Sequence, residues 1–228
     1  MTAAPWLSAI VPTWREAGCI AATVASCNAI ADETIVADAD SPDGTAALAA
    51  AAGARVVLAP RGRGPQQNAG ARAARGGVLL FVHADTTLPP GARAAIASAL
   101  RDPAVVGGNF KLRFEPATAA ARIYSLANHL RRRALRIYYG DSCIFVRRAV
   151  FERLGGFADL PIFEDHEFVA RLEAAGRTHY ETAVLATTSS RRFHAHPLRT
   201  LAVWGLLQGL HACGVPASRL AALYRDIR

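Results

Sequence analysis

The sequence predicts an α/β fold: a mixed sheet, parallel in its first half, flanked by helices. Three observations predict it. Short β-rich runs alternate with helical stretches through the first half, at the spacing of βαβ units. Several of these runs are almost wholly apolar, as in strands covered on both faces. In the second half, Gly107–Phe114 alternates in polarity as an edge or antiparallel strand does.

The elements follow in order. Leu7–Val11 reads as a buried strand stopped by Pro12. Over Glu16–Ala31 the residues Ile20, Val24, Cys27 and Ile30 recur at three- and four-residue spacing, as on one helix face. Thr34–Ala37 is the second strand. Ser41-Pro42-Asp43-Gly44 has the form of a helix start, with Ser41 as N-cap and Pro42 in the first turn. The helix runs to about Ala52 and ends at Gly53. Arg55–Ala59 is the third strand, and the turn Arg61-Gly62-Arg63-Gly64 leads into a helix through about Ala74. Val78–His83 is the fourth strand. Beyond it come the strand at Gly107–Phe114, a helix over Ala117–Leu135 with the basic run Arg131–Arg133, and a strand at Cys143–Val146. Glu164-Asp165 opens a helix, Thr178–Thr187 is a late strand, and the remainder is helical and mostly apolar. No repeat or linker interrupts the 228 residues, so they read as one domain.

Hydrophobic residues make up 52% and charged residues 19%, a globular balance. The formal net charge of +8, nearly all arginine, suits an anionic partner such as a nucleotide phosphate, or reflects codon preference alone. Cys19, Cys27, Cys143 and Cys213 form no C-x-x-C pair, which points to buried free thiols in a reducing cytoplasm rather than to zinc. No basic, then apolar, leader opens the chain, and no uncharged apolar run of roughly 18 residues occurs, so neither a signal peptide nor a span is expected. Residues 198–210 read as core, with a dimer face or a membrane contact as alternatives.

Ligands of parallel sheets bind beyond the carboxyl ends of the strands. That singles out Pro12-Thr13, Asp38–Asp43 and His83-Ala84-Asp85. Two carboxylates at such ends, Asp38 and Asp85, suit a hard cation carrying a nucleotide diphosphate; separately, each also suits a turn or cap. Glu164-Asp165 fits a helix dipole, and equally a general base tuned by its neighbour. Arg61, Arg63, Arg191 and Arg192 are candidate phosphate clamps. Arg131–Arg133 reads as a solvated face, with anionic lipid headgroups as the sharper alternative. His194 and His196 read as ordinary exposed or structural histidines before they read as metal ligands. No P-loop, no G-x-G-x-x-G after the first strand and no G-x-S-x-G elbow are present.

The ordered set Ile10–Thr13, Ala37–Thr45, His83–Thr86 and Phe163–Asp165 resembles the family 2 glycosyltransferases of the GT-A fold, over nearly the whole chain. The stretches 63–70, 139–142 and 154–157 are similar to a short bacterial subgroup labelled arsenosugar-biosynthesis-type. The resemblance implies an inverting, metal-assisted transfer from a nucleotide-diphospho-sugar to an acceptor hydroxyl. Pro12, Thr13, Glu16, Asp38, Arg63, Gln67, Arg191 and Arg192 would bind the donor. Asp85, in the last position of a D-x-D motif, would hold Mg²⁺ or Mn²⁺. Asp165, beside Glu164, would be the base, and Gly108, Gly140 and Asp141 would border the acceptor. Residues 1–105 would form the donor half and 106–228 the acceptor half. The sequence departs from the pattern at His83, where the first D-x-D aspartate is usual, and at Ala39-Asp40. No Q-x-x-R-W signature of processive synthases occurs.

The implied location is cytoplasmic, with peripheral contact at the inner membrane face and a lipid-linked acceptor both compatible. A homodimer is compatible with the apolar tail. Nucleic acid is not an expected partner, because aromatic residues are 7% and are not interleaved with the basic run. Two other readings stand beside this one: a nucleotidyltransferase making nucleotide sugars, and a non-catalytic basic module for nucleic acid or membrane.

Overall fold

The computed structural model of the chain describes residues 6–191 and 197–225. Eight strands form one mixed sheet in the order β3-β2-β1-β4-β7-β6-β8-β5. The strands β1 (Leu7–Thr13), β2 (Glu33–Asp38), β3 (Arg55–Leu58) and β4 (Val78–Phe81) are mutually parallel. Helices α1 (Ile20–Asn28), α2 (Thr45–Ala51) and α3 (Arg63–Ala73) connect them. Every residue of β1 and β4 is buried, which is why both read as continuous apolar runs.

The order then reverses. From β4 the chain passes through β5 (Thr86–Thr87) and α4 (Gly91–Ala99) into the long β6 (Val105–Glu115). Helix α5 (Ala119–Leu135) and a 3₁₀ turn at Gly140–Ser142 lead to β7 (Ile144–Arg147) and α6 (Arg148–Arg153). Then come α7 (Glu164–Ala175), β8 (Arg177–Ser189), α8 (Pro197–Ala212) and α9 (Ala217–Arg225). Strand β7 runs antiparallel between β4 and β6, and β8 lies parallel to β6.

Each sheet face has its own apolar cluster. One gathers Ile20, Val24 and Cys27 of α1 with Val11, Leu80 and Phe110. The other gathers Ile10, Phe81 and Val146 with Phe151, Phe157 and Phe168. The helix face expected from Ile20, Val24, Cys27 and Ile30 is buried as expected. A third, smaller cluster joins Ile162 and Phe163 to Leu207 of α8 and Leu220 of α9, so the apolar tail contributes core at these points. Leu206 and Leu223 stay exposed.

Three local expectations are revised. The helix expected from Ser41 starts instead at Thr45, with Gly44 as its left-handed N-cap. The Asp38 carboxylate takes both the N–H and the hydroxyl of Ser41, folding that segment into a turn before the helix can begin. Strand β6 runs antiparallel to β7, one of the two expected alternatives, but it is interior rather than an edge, so Gly107 and Gly108 are packing positions. A Cβ on Gly107 would sit 2.5 Å from the Phe145 carbonyl oxygen, and one on Gly108 would overlap that of His179. The run Arg131–Arg133 is not one solvated face. Arg132 is buried, donating to Asn109 and Thr178 at 2.8 Å and pairing with Glu173 at 3.4 Å. Arg131 lies over the Tyr139 ring and donates to Gln208 of α8, which leaves Arg133 as the exposed member.

Of the four free thiols, Cys27 and Cys143 are buried, Cys19 is half-buried and Cys213 is exposed.

Candidate functional site

Parallel register aligns the carboxyl ends of β1 and β2, with Thr13 opposite Asp38. Asp38 is buried and accepts from the Thr13 hydroxyl at 2.8 Å and from both donors of Ser41 at 2.7 Å. Gln66, reaching up from α3, donates to the carbonyl oxygens of Thr13 and Ala37 at 2.7 and 2.9 Å. These bonds fix the floor of a cavity of about 500 Å³. Pro12, Thr13 and Gln66 line it. Asp38 supports that floor from below.

One wall is charged. Arg191, just past the end of β8, donates to both Glu16 oxygens at 2.9 and 2.7 Å and lies 3.2 Å from an Asp85 oxygen. Three sequence-distant residues thus share one network. What holds it is backbone pairing: Thr86 and Thr87 of β5 pair with Thr188 and Thr187 of β8, and the Ser189 N–H donates to the Asp85 carbonyl oxygen. Nearby, the Arg61 guanidinium stacks over Trp14, 4.3 Å from the ring centre, with Arg63 also on the lining.

Facing this wall is the start of α7. Phe163 takes a left-handed backbone, φ 64°, unusual for an aromatic residue, and turns the chain so that Glu164 and Asp165 open the helix. Asp165 lines the cavity and is nearly buried. It accepts from the Gly140 N–H at 2.7 Å and the His166 N–H at 2.8 Å. These two bonds leave lone pairs of a fixed carboxylate for a ligand proton. Glu164 lies beneath. Its Oε1 is buried without a hydrogen bond, with an Arg63 nitrogen 3.9 Å away. Burial, and then the adjacent Asp165 charge, raise the Glu164 carboxyl to about 7, against the pull of Arg63.

A side chain at Gly140 would press on two site residues. A Cβ there would come within 2.7 Å of His83 Nε2 and 3.3 Å of Asp165 Oδ2. His83, Asp85, Asp141 and Asp165 therefore face a common space. Its remaining wall is apolar and aromatic, with Phe114, Tyr124, Tyr139, Ile162, Phe163 and Trp204.

Of the residues singled out from the sequence, Pro12, Thr13, Glu16, Arg63, Asp85, Asp141, Asp165 and Arg191 meet at this cavity. Gly140 adjoins it through Asp165 and His83. Glu164 and Asp38 sit behind the lining. Gln67 is buried with its Oε1 unpaired, and its neighbour Gln66 is the glutamine on the cavity. Gly108 lies between strands. Arg192, His194 and His196 fall outside the described residues. Phe114 and Tyr139 fall in stretches that the sequence marks as a partly apolar acceptor region, 110–114 and 138–141, whereas Tyr124 and Trp204 carry no motif and reach the cavity only through α5 and α8.

Among the described residues, no three His, Cys, Asp or Glu side chains cluster into a ready metal cage. Asp85 offers one carboxylate. That donor set fits an ion that draws most of its ligands from a substrate diphosphate and water, as Mg²⁺ does.

No curated protein sequence matches the chain. The structure is similar to that of S. aureus TarS 1–349 in complex with UDP-GlcNAc, at 18% identity and TM-score 0.62, over 80% of this chain and 58% of that one. It is similar to M. tuberculosis glucosyl-3-phosphoglycerate synthase, at 20% identity and TM-score 0.63, over 93% and 82%. It is also similar to mannosyl-3-phosphoglycerate synthase from Rubrobacter xylanophilus, at 18% identity and TM-score 0.58, over 92% and 75%. These likenesses identify the GT-A fold, and this chain spans less than two thirds of the TarS chain. The family model described as glycosyl transferase family 2 matches residues 8–155. The chain belongs to glycosyl transferase family 2.

Proposed function

We propose that this protein is an inverting, metal-assisted glycosyltransferase that moves a sugar from a nucleoside diphosphate to an acceptor hydroxyl. One observation carries the reading. The Glu16–Arg191–Asp85 network and the fixed Asp165 carboxylate face each other across one cavity of about 500 Å³, at the carboxyl ends of the parallel strands. Both a diphosphate and an attacking hydroxyl have an appropriate partner there.

In this reading, Pro12, Thr13 and the Trp14–Arg61 pair receive the base and ribose. Asp38 and Gln66 hold that floor rigid. Arg63 and Arg191 face the diphosphate, and Asp85 holds the divalent ion, which when bound neutralises charge on the departing phosphates. Asp165 takes the proton of the acceptor hydroxyl as its oxygen bonds to the anomeric carbon. The bond from that carbon to the diphosphate breaks on the opposite side, so the configuration inverts. The acceptor enters past Gly140, Asp141 and the aromatic wall, on the side of residues 106–228. Within the family, we place the chain with the short arsenosugar-type subgroup, which its stretches 63–70, 139–142 and 154–157 resemble.

A panel of UDP-, GDP- and dTDP-sugars, each with Mn²⁺ or chelator, tests this by thermal shift. UDP-sugars come first, because TarS and the M. tuberculosis synthase have both been solved with UDP nucleotides, the latter also with Mn²⁺. A metal-dependent rise with one nucleotide is expected. No response to any donor would refute the reading.

A further inference from the structure

We infer that the outer face of α5 docks on an anionic lipid surface. The helix is amphipathic, but its apolar face points away from the protein. Ile123, Leu126 and Leu130 are 59%, 57% and 57% exposed. At 100° per residue they fall with Ala119, Ala127 and Ala134 inside an arc of about 100°, the width of a face that normally packs on a core. Here the core-facing side is formed by Ala121, Tyr124 and Arg132 instead.

Charge selects the occupant. The 17 residues of α5 contain no Asp or Glu. Arg122 and Arg133 lie on one edge of the apolar strip, both exposed and neither in an ion pair among the described residues. Beside Leu126 a groove of about 240 Å³ continues the basic character, with Lys111, Arg113, Arg122 and His129 on its lining. Of these, Arg113 is shared with Glu115 at 3.1 Å. Apolar side chains flanked by arginine suit the boundary between anionic headgroups and acyl chains. A second copy suits it less well. Antiparallel pairing of two such helices sets Arg122 of one near Arg133 of the other, with no carboxylate on either helix to answer them. No helix among the described residues is long and apolar enough to cross a membrane, so the contact is lateral. Phe114 lines both this groove and the main cavity, which joins the docked face to the aromatic end of the site.

The surface is independent of the sugar-transfer reading, and the test keeps the two apart. The intact protein is sedimented with vesicles of phosphatidylcholine alone or with about a quarter phosphatidylglycerol, at low and high salt. Binding to the anionic vesicles only, weakened by salt, is expected. Leu126→Gln with Leu130→Gln should lower that affinity about tenfold, as should Arg122→Gln with Arg133→Gln. Melting temperature, and any donor-induced thermal shift, should stay as in the parent. Vesicle binding without any donor response leaves the docking face standing and removes the transferase reading instead. Absence of vesicle binding by the parent overturns the inference, as does binding that both double variants retain. A concentration-dependent dimer abolished by Leu130→Gln, with no vesicle binding, overturns it in favour of a second copy.

Discussion

The backbone N–H of Gly140 donates to Oδ2 of Asp165 at 2.7 Å, across 25 residues of sequence. Gly140 begins the 3₁₀ turn before β7, and Asp165 is the second residue of α7. Their contact aims the carboxylate into the cavity, and His83 closes the third side. Gly140→Ala displaces the His83 imidazole, the Asp165 carboxylate or the turn itself. The expected result is a transfer rate lowered about tenfold to a hundredfold, with a stability cost of about 1–3 kcal/mol. Asp165→Asn should be harsher on rate, by about 10²–10⁴, while donor binding persists. Steady-state transfer assays beside donor titrations check both. Full turnover by Asp165→Asn would remove it as the base.

Glu164 makes stability depend on pH. Its carboxyl is raised to about 7 in the folded protein, against an ordinary value of 4.5. The folded state therefore binds a proton that the unfolded state has released, and this contribution to stability is lost as pH rises from about 4.5 through 7. Glu164→Gln holds the neutral form throughout. Relative to the parent it should gain roughly 1–3 kcal/mol between pH 5 and pH 8. Urea melts at the two pH values measure this, and an equal difference at both would show that Glu164 stays ionised.

Arg191 contacts both Glu16 and Asp85, and in the proposed reading a metal ion would share Asp85 with it. Asp85→Ala should abolish the Mn²⁺-dependent part of donor binding and keep the metal-independent part. Arg191→Ala should weaken donor binding about tenfold with and without metal, because a diphosphate contact is removed directly. Calorimetric titrations with Mn²⁺ or chelator separate the two patterns.

Arg132 is a structural cation. It is 6% exposed, holds Asn109, Thr178 and Glu173, and lies over the rings of Tyr138 and Tyr180. Arg132→Ala leaves the Glu173 carboxylate with Arg136 as its cationic partner and empties the space between α5 and β8. A loss of about 3–5 kcal/mol is expected from denaturant melts. A neutral result would mean that Arg136 alone satisfies Glu173.

The alternation of apolar runs and helical spacing determined the sheet's parallel half, because buried strands must be apolar and the chain returns through helices. It also marked the strand ends where Thr13, Asp38 and Asp85 stand. The pairing of Glu164 with Asp165 at a helix start was legible for the same local reason. Other features depend on contacts between distant segments. Only tertiary structure decided that β6 is interior, since its alternation fits an edge equally well. Only β5–β8 pairing sets Arg191 against Asp85. Asp38 bonding to Ser41 displaced a start signal that local sequence supports. Gln66 rather than Gln67 faces the cavity, a matter of helix phase that one residue of register settles. Likewise, Arg132 turns inward while Ile123, Leu126 and Leu130 turn outward. Composition records how many side chains of each kind exist, but which face of α5 meets the sheet is fixed by Asn109, Thr178 and Glu173 waiting there for a cation.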